Sequence, residues 1–413
     1  MRIVSGPSAG ALVQRLAARG TQFGRLEPRV RRIVEGVRRG GDPSLRRYAE
    51  RWDGLETKQP VRVSEEEMAT ALREIVPELR KSLLQAAQNI RQFCEWQKPG
   101  DWMRSRGGIS LGQMVRPLES VGCYVPGGRY PLVSTLLMTV IPAQVAGVKN
   151  IRVVSPQPSV EVLAAAALLG VPELYRVGGA QAVAALAYGT SKIPRVDKIV
   201  GPGNSYVTVA KKLVSFDCAI DFLAGPTEAV VLSDSGVPEF IAADLVAQAE
   251  HDPETLSLLI TTSRELARSV RVNAVELAKG NPIAQKSLQV RGVIFIAKSR
   301  EQARDWANEL APEHITVAED DLPFIHNAGS VFVGDYSAQA AGDYASGPNH
   351  VLPTSGQARF RGGLSVADFM KVITVQRLSA KGLRGIASAI ECLAGAEGLP
   401  AHARSIRVRC ERA

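Results

Sequence analysis

Leu174-Tyr175-Arg176-Val177-Gly178-Gly179-Ala180-Gln181 sets a short apolar run, a pair of glycines and the start of a helical segment side by side. An apolar run that short, stopped by glycine and followed by helix formers, reads as a buried strand turning straight into a helix. The same unit recurs on either side. Upstream, Val121–Val125 leads through Pro126-Gly127-Gly128 into a helix after Pro131; downstream, Lys198–Val200 leads through Gly201-Pro202-Gly203-Asn204 into a helix over Tyr206–Val214. With Ile151–Val154, a helix over Val160–Leu169 and Cys218–Asp221, the chain alternates strand and helix from Val121 to Asp221. Such alternation predicts a parallel sheet covered by helices on both faces.

Further along, candidate strands at Ala229–Leu232, Leu256–Thr262, Val293–Ala297, Ile315–Ala318 and Ser330–Val333 are separated by helical patterns near Glu239–Glu250, Glu265–Lys279 and Glu301–Leu310. Two similar α/β lobes account for both series, as a 413-residue chain outgrows a single core. From about Gly20 to Pro99 the pattern is helical. Pro28 precedes an apolar-periodic run, and Ser64-Glu65-Glu66-Glu67 is an N-cap serine followed by acids. After Leu364 come Val366–Lys371, a helix over Gly382–Ala394, and Ile406–Arg409, which alternates as an edge strand would. That tail is too short to fold alone and must dock on a larger body.

Hydrophobic residues at 45% and charged residues at 22% suit a soluble globular protein. No stretch approaches the roughly 20 uninterrupted apolar residues of a membrane helix, and Met1-Arg2-Ile3-Val4-Ser5-Gly6 lacks a signal-peptide core, so the cytoplasm is the expected location. The five cysteines are scattered and form no Cys-x-x-Cys pair, which argues against a disulfide framework or a thiolate zinc site. The net charge of +9 gathers at the two ends. Near the N-terminus the arginines interleave with Leu16, Phe23, Val30, Ile33 and Val37 and have acidic neighbours, the pattern of a solvated or subunit-facing helix rather than a nucleic-acid patch.

The three glycine turns, at Tyr124–Gly128, Val177–Gln181 and Val200–Asn204, each follow a strand and open a helix. There an open sheet leaves a crevice, and glycines let backbone N–H groups approach phosphate or ribose, so a dinucleotide fits although none spells Gly-x-Gly-x-x-Gly. Four of the five histidines lie in acid- or amide-bearing segments: Gln248-Ala249-Glu250-His251, Glu313-His314, Asp343 to His350, and Glu397 to His402. Gln248 and His251 are three apart, on one face near a helix end, and Asp343 and His350 flank a Gly/Ser/Pro/Asn loop. Amide oxygen, imidazole and carboxylate without thiolate suit an open, working site for Zn²⁺ first, with Mn²⁺ or Co²⁺ as substitutes. Glu313-His314 offers two proton-transfer groups with separable roles. His326, with no acidic motif beside it, reads as a surface group.

On these residues, and most specifically on Ile220-Asp221-Phe222-Leu223-Ala224-Gly225-Pro226-Thr227-Glu228, Leu245 to His251, and Asp343 to Thr354, the chain resembles the zinc- and NAD-dependent histidinol dehydrogenase family. The resemblance runs from about Gly40 to His402. It implies one Zn²⁺ per subunit on Gln248, His251, Asp343 and His402, an acid/base pair at Glu313 and His314, and NAD contacts at Tyr124, Gln181 and Asn204. It also implies substrate contacts at Thr227, His350 and Glu397 in addition to His314 and the ligands; threonine stands at 227 where relatives often carry serine. The implied fold is α/β, two incomplete Rossmann-like lobes with parallel sheets, plus small N- and C-terminal segments that mediate dimerisation. The expected division is an N-terminal arm over 1–20, a discontinuous first lobe over 21–120 and 229–365 with most zinc ligands, an NAD-binding second lobe over 121–228, and a dimerisation segment over 366–413. The implied reaction is oxidation of L-histidinol through L-histidinal to L-histidine with two NAD⁺, in a homodimer whose tail completes the partner's site. Two other readings are a same-scaffold enzyme acting on another alcohol, such as a sulfonated diol, and a basic nucleic-acid-binding protein with a structural zinc.

Overall fold

The fully buried strands Leu256–Thr261 and Val293–Ile296 carry no polar alternation, because helices cover both faces of the sheet that holds them. In this computed structural model, which describes residues 1–20, 24–127 and 132–412, that sheet has six parallel strands. Their order is Arg2–Ser5, Val293–Ile296, Leu256–Thr261, Glu228–Leu232, His314–Val317 and Ser330–Val333. Side chains alternate between its faces as the pleat requires: Val230, Leu258, Ile260 and Phe295 enter one core, Val231, Leu259, Ile294 and Ile296 the other. Phe23, Gly128 and Pro131 lie outside the described residues.

The second parallel sheet has five strands, ordered Glu173–Tyr175, Asn150–Val154, Ser120–Tyr124, Lys198–Val200 and Ala219–Ile220. The chain runs outward from Ser120–Tyr124 to one edge, then returns to pair on its other side. Strand order reverses between Ser120–Tyr124 and Lys198–Val200, and such a reversal opens a crevice at the carboxyl ends of the strands.

The helices over 27–97 pack differently from the expected division, which grouped them with 229–365. Glu27–Trp52 lies on Gly179–Tyr188 and Ser205–Val214, Glu65–Glu74 on Val160–Leu168, and Pro77–Gln97 on Val133–Ala146. The physical reason is that the five-stranded lobe's own helices are apolar nearly all round. Ala180 to Ala187 are all buried, so these helices need a second helical layer above them. Residues 1–20 likewise are no free arm. Arg2–Ser5 is an edge strand of the six-stranded sheet, and Pro7–Ala17 packs on Arg300–Leu310.

A third, antiparallel sheet joins Met370–Leu378, Ile109–Pro117 and Trp102–Arg106. The helices Ala380–Ala396 and Pro400–Arg412 follow and pack on each other. The edge strand expected at Ile406–Arg409 is therefore wrong: those residues lie inside a helix. Proline at its start, then Ala401, Ala403 and Arg404, favour a helix more than four alternating residues favour a strand. Among the described residues, no helix is long and apolar enough to cross a membrane.

Candidate active site

The three glycine turns converge on one crevice of about 360 Å³, lined by Tyr124, Gly127, Gly179, Gln181 and Asn204 together with Arg29, Trp52 and Asp53. Tyr124 ends its strand, and its hydroxyl accepts the Gly179 N–H at 2.9 Å, so the first turn is tied to the second. Asn204 caps the helix Ser205–Val214, its Oδ1 accepting the N–H groups of Tyr206 and Val207 at 3.0 and 3.2 Å. The Gln181 amide donates to Asp53 Oδ2 at 2.9 Å, and the Gly178 N–H donates to the same oxygen at 3.0 Å. Burial lifts the Asp53 carboxyl above its ordinary range against those two donors, and it lifts the Tyr124 phenol likewise. Asp53 was missed in the sequence; its only local signal is Asp-Gly after a helix, which reads as a turn.

A second cavity, of about 240 Å³, is lined by Thr135, Pro202, Thr227, His251, Glu313, His314, Asp343, Tyr344 and His350. Glu313 immediately precedes the strand His314–Val317 and is buried, with Oε2 accepting the Glu228 N–H at 3.0 Å. Burial first, then the nearby Glu228 and Asp343 carboxylates, push its pKa up to about 8. In His314 burial opposes protonation, but the facing Glu313 and Asp343 outweigh it and hold its pKa above the ordinary value. Its Nδ1 lies 3.8 Å from Glu313 Oε2 and its Nε2 3.3 Å from Asp343 Oδ1, neither aligned as a hydrogen bond.

Asp343 sits on the short helix Gln339–Tyr344, where its Oδ2 accepts the Gln248 amide at 2.8 Å. Burial raises the Asp343 carboxyl, yet His314, His350 and Gln248 together hold it below the ordinary range. His350 Nδ1 lies 2.7 Å from the Asp343 carbonyl, which can only accept, so the proton is on Nδ1. Its Nε2 lone pair faces Thr135 Oγ1 at 3.4 Å, and burial keeps this imidazole neutral by lowering its pKa.

Gln248 is buried on the helix Pro238–Ala249, and its Oε1 has no partner. That orphaned oxygen, with His251 and Asp343, is an oxygen–nitrogen–oxygen donor set without thiolate, which fits Zn²⁺. Among the described residues, no three His, Cys, Asp or Glu side chains form such a group by themselves. Glu397, at the end of Ala380–Ala396, and His402, in the first turn of Pro400–Arg412, are exposed and line neither cavity. His326 is exposed as expected. Glu228 and Arg19 were also missed as supports. The Arg19 guanidinium grips both Glu228 oxygens, holding the negative charge beside Glu313.

The family model described as histidinol dehydrogenase matches residues 17–410. A histidinol dehydrogenase of Methanothermobacter thermautotrophicus is 48% identical over 91% of this chain and 92% of its own length. One from Thermus thermophilus is 47% identical over 96% and 97%. The crystal structure of histidinol dehydrogenase from Elizabethkingia anophelis superposes with a TM-score of 0.95 at 36% identity, covering 100% of this chain and 98% of that one. The chain belongs to the histidinol dehydrogenase family.

Proposed function

We propose that this chain is an L-histidinol dehydrogenase that oxidises L-histidinol through L-histidinal to L-histidine, reducing two NAD⁺, in the cytoplasm. The observation that carries this reading is the meeting of a buried acid–base pair, Glu313-His314, with Pro202 of a nucleotide-crevice turn in one cavity. A nicotinamide reaching in along that turn would meet the groups that move protons.

Gln248 Oε1, His251 and Asp343 would hold one Zn²⁺, with His402 of the partner subunit as the fourth ligand. A Zn²⁺ held there supplies a Lewis acid that orients the amino alcohol. His314 takes the hydroxyl proton as hydride leaves the carbinol carbon for the nicotinamide, giving the aldehyde and NADH. Glu313, in its carboxylate form, would then take a proton from water as the water oxygen adds to the aldehyde carbon, and the hydrate so formed would give its hydride to a second NAD⁺ and its hydroxyl proton to His314, leaving the acid. Tyr124, Gln181 and Asn204 bind NAD, while Thr227, His350 and Glu397 of the partner subunit contact substrate. The exposed Leu393 and Leu399 of the tail support its docking on a second copy of the chain.

The purified protein should yield two NADH per L-histidinol consumed, and a chelator should stop the reaction. Preference for another alcohol in a panel that includes sulfonated diols would contradict the substrate assignment. Salt-sensitive retardation of nucleic acid without any NADH would contradict the enzyme reading altogether.

A further inference from the structure

We infer that the buried pair Lys211–Asp221 is a positioning device that fixes the Gly201–Asn204 turn, and through it the approach of the nicotinamide to the alcohol carbon; this rests on the dehydrogenase reading above. The turn touches both halves of the site. Pro202 lines the cavity with Glu313 and His314, whereas Asn204 lines the nucleotide crevice. A displacement of one therefore moves the other.

Lys211 lies on the helix Ser205–Val214 and Asp221 just beyond the strand Ala219–Ile220; both side chains are buried and paired. An apolar pair of equal volume would often hold a core as well or better, so stability alone is a weak reason for two charges here. What an apolar pair lacks is bonds to backbone. Lys211 Nζ donates to the Gly201 carbonyl at 2.9 Å, and Asp221 Oδ2 accepts the Gly201 N–H at 2.7 Å. Both polar backbone groups of one residue are thereby held from the interior. Gly201 itself has φ +110°, and a Cβ on it would fall on the Tyr124 carbonyl oxygen, so the turn has no slack on that side.

The same carboxylate anchors the segment that leads to Thr227. Asp221 Oδ1 accepts the Phe222 N–H at 2.6 Å, and Thr208, one turn along the helix from Asn204, donates to the Ala224 carbonyl at 3.1 Å. The cofactor turn and the substrate-side segment thus share one buried anchor, made of groups that reach neither cavity.

The test is the double variant Lys211→Met/Asp221→Asn, which removes both charges at nearly constant volume. It is expected to stay folded and to keep its zinc content, while kcat falls at least about tenfold because the reacting atoms lose alignment. The isotope effect with carbinol-deuterated substrate should rise, a change that a merely structural role would not produce. Pro202→Gly, which leaves the pair intact and loosens the turn, should reproduce the loss of kcat and keeps the test decisive if the double variant does not fold. Parental kcat and parental isotope effect in either folded variant overturn the inference. Activity of the parent on L-histidinol tests the functional reading separately, and the ratio of variant to parent is read on whichever alcohol the parent oxidises.

Discussion

The two parallel sheets are built alike but used at opposite ends. In the five-stranded sheet the site residues sit at or beyond the carboxyl ends of strands: Tyr124 closes Ser120–Tyr124, and Asn204 follows Lys198–Val200. In the six-stranded sheet they sit where strands begin: Thr227 precedes Glu228–Leu232, and Glu313 precedes His314–Val317. The carboxyl ends offer glycine turns and helix N-termini, which favour an anionic cofactor. The strand starts offer buried side chains packed against one another, and burial among like charges is what moves the Glu313 carboxyl to about 8. On the proposed function, one sheet would supply geometry for binding and the other would supply the proton-transfer groups.

If that division holds, variants of the two sheets should separate in kinetics. The largest effect is expected at the six-stranded sheet, where His314→Asn should lower kcat by roughly 10²- to 10⁴-fold with KM for NAD⁺ unchanged; steady-state NADH formation reads both. Next comes Arg19→Leu. It leaves the Glu228 carboxylate buried without its partner and should cost about 3 kcal/mol in urea unfolding, which would mark the N-terminal segment as part of that lobe's core. In the five-stranded sheet, Gln181→Ala should raise KM for NAD⁺ roughly fivefold, about one hydrogen bond's worth, with kcat untouched. An equal effect of Gln181→Ala on kcat would break the comparison.

The smallest effect is a pH trend at Asp53. Burial raises its carboxyl above the ordinary range, so the folded chain binds that proton more readily than the unfolded chain. This contribution to stability is fully present below the unfolded value and is lost as pH rises through the folded one. Asp53→Asn lacks the titration, and its stability relative to the parent should improve as pH rises from the acid side; urea midpoints at several pH values check the sign.

The alternation from 121 to 221 was legible because each strand is short and largely apolar and the strand-to-helix turns carry glycine or proline, so local chemistry and final fold agree. Gln248 was placed on its helix correctly, but the helix stops at Ala249 and His251 follows it in a turn, so the shared helical face expected for the two does not form. Other features depend on contacts distant in sequence. Arg2–Ser5 becomes a strand only by pairing with Val293–Ile296, and Asp53 meets Gln181 across 128 positions. The antiparallel sheet formed by Trp102–Arg106, Ile109–Pro117 and Met370–Leu378 has largely exposed residues, so no apolar periodicity announced it. The tail misled because Ile406 and Val408 alternate in a segment whose alanines and arginines favour helix.

On the proposed function, each site draws on two copies of the chain, the body giving Gln248, His251 and Asp343 and the tail giving His402. Co-expressing His251→Ala and His402→Ala chains with different tags, and isolating the mixed dimer, tests it directly. One of its two sites would then join an intact body to an intact tail, so the mixed dimer should recover about half of the parental activity per dimer, although each variant alone is inactive. A mixed dimer as inactive as its parents would show that body and tail of the same chain must meet, and would contradict the account.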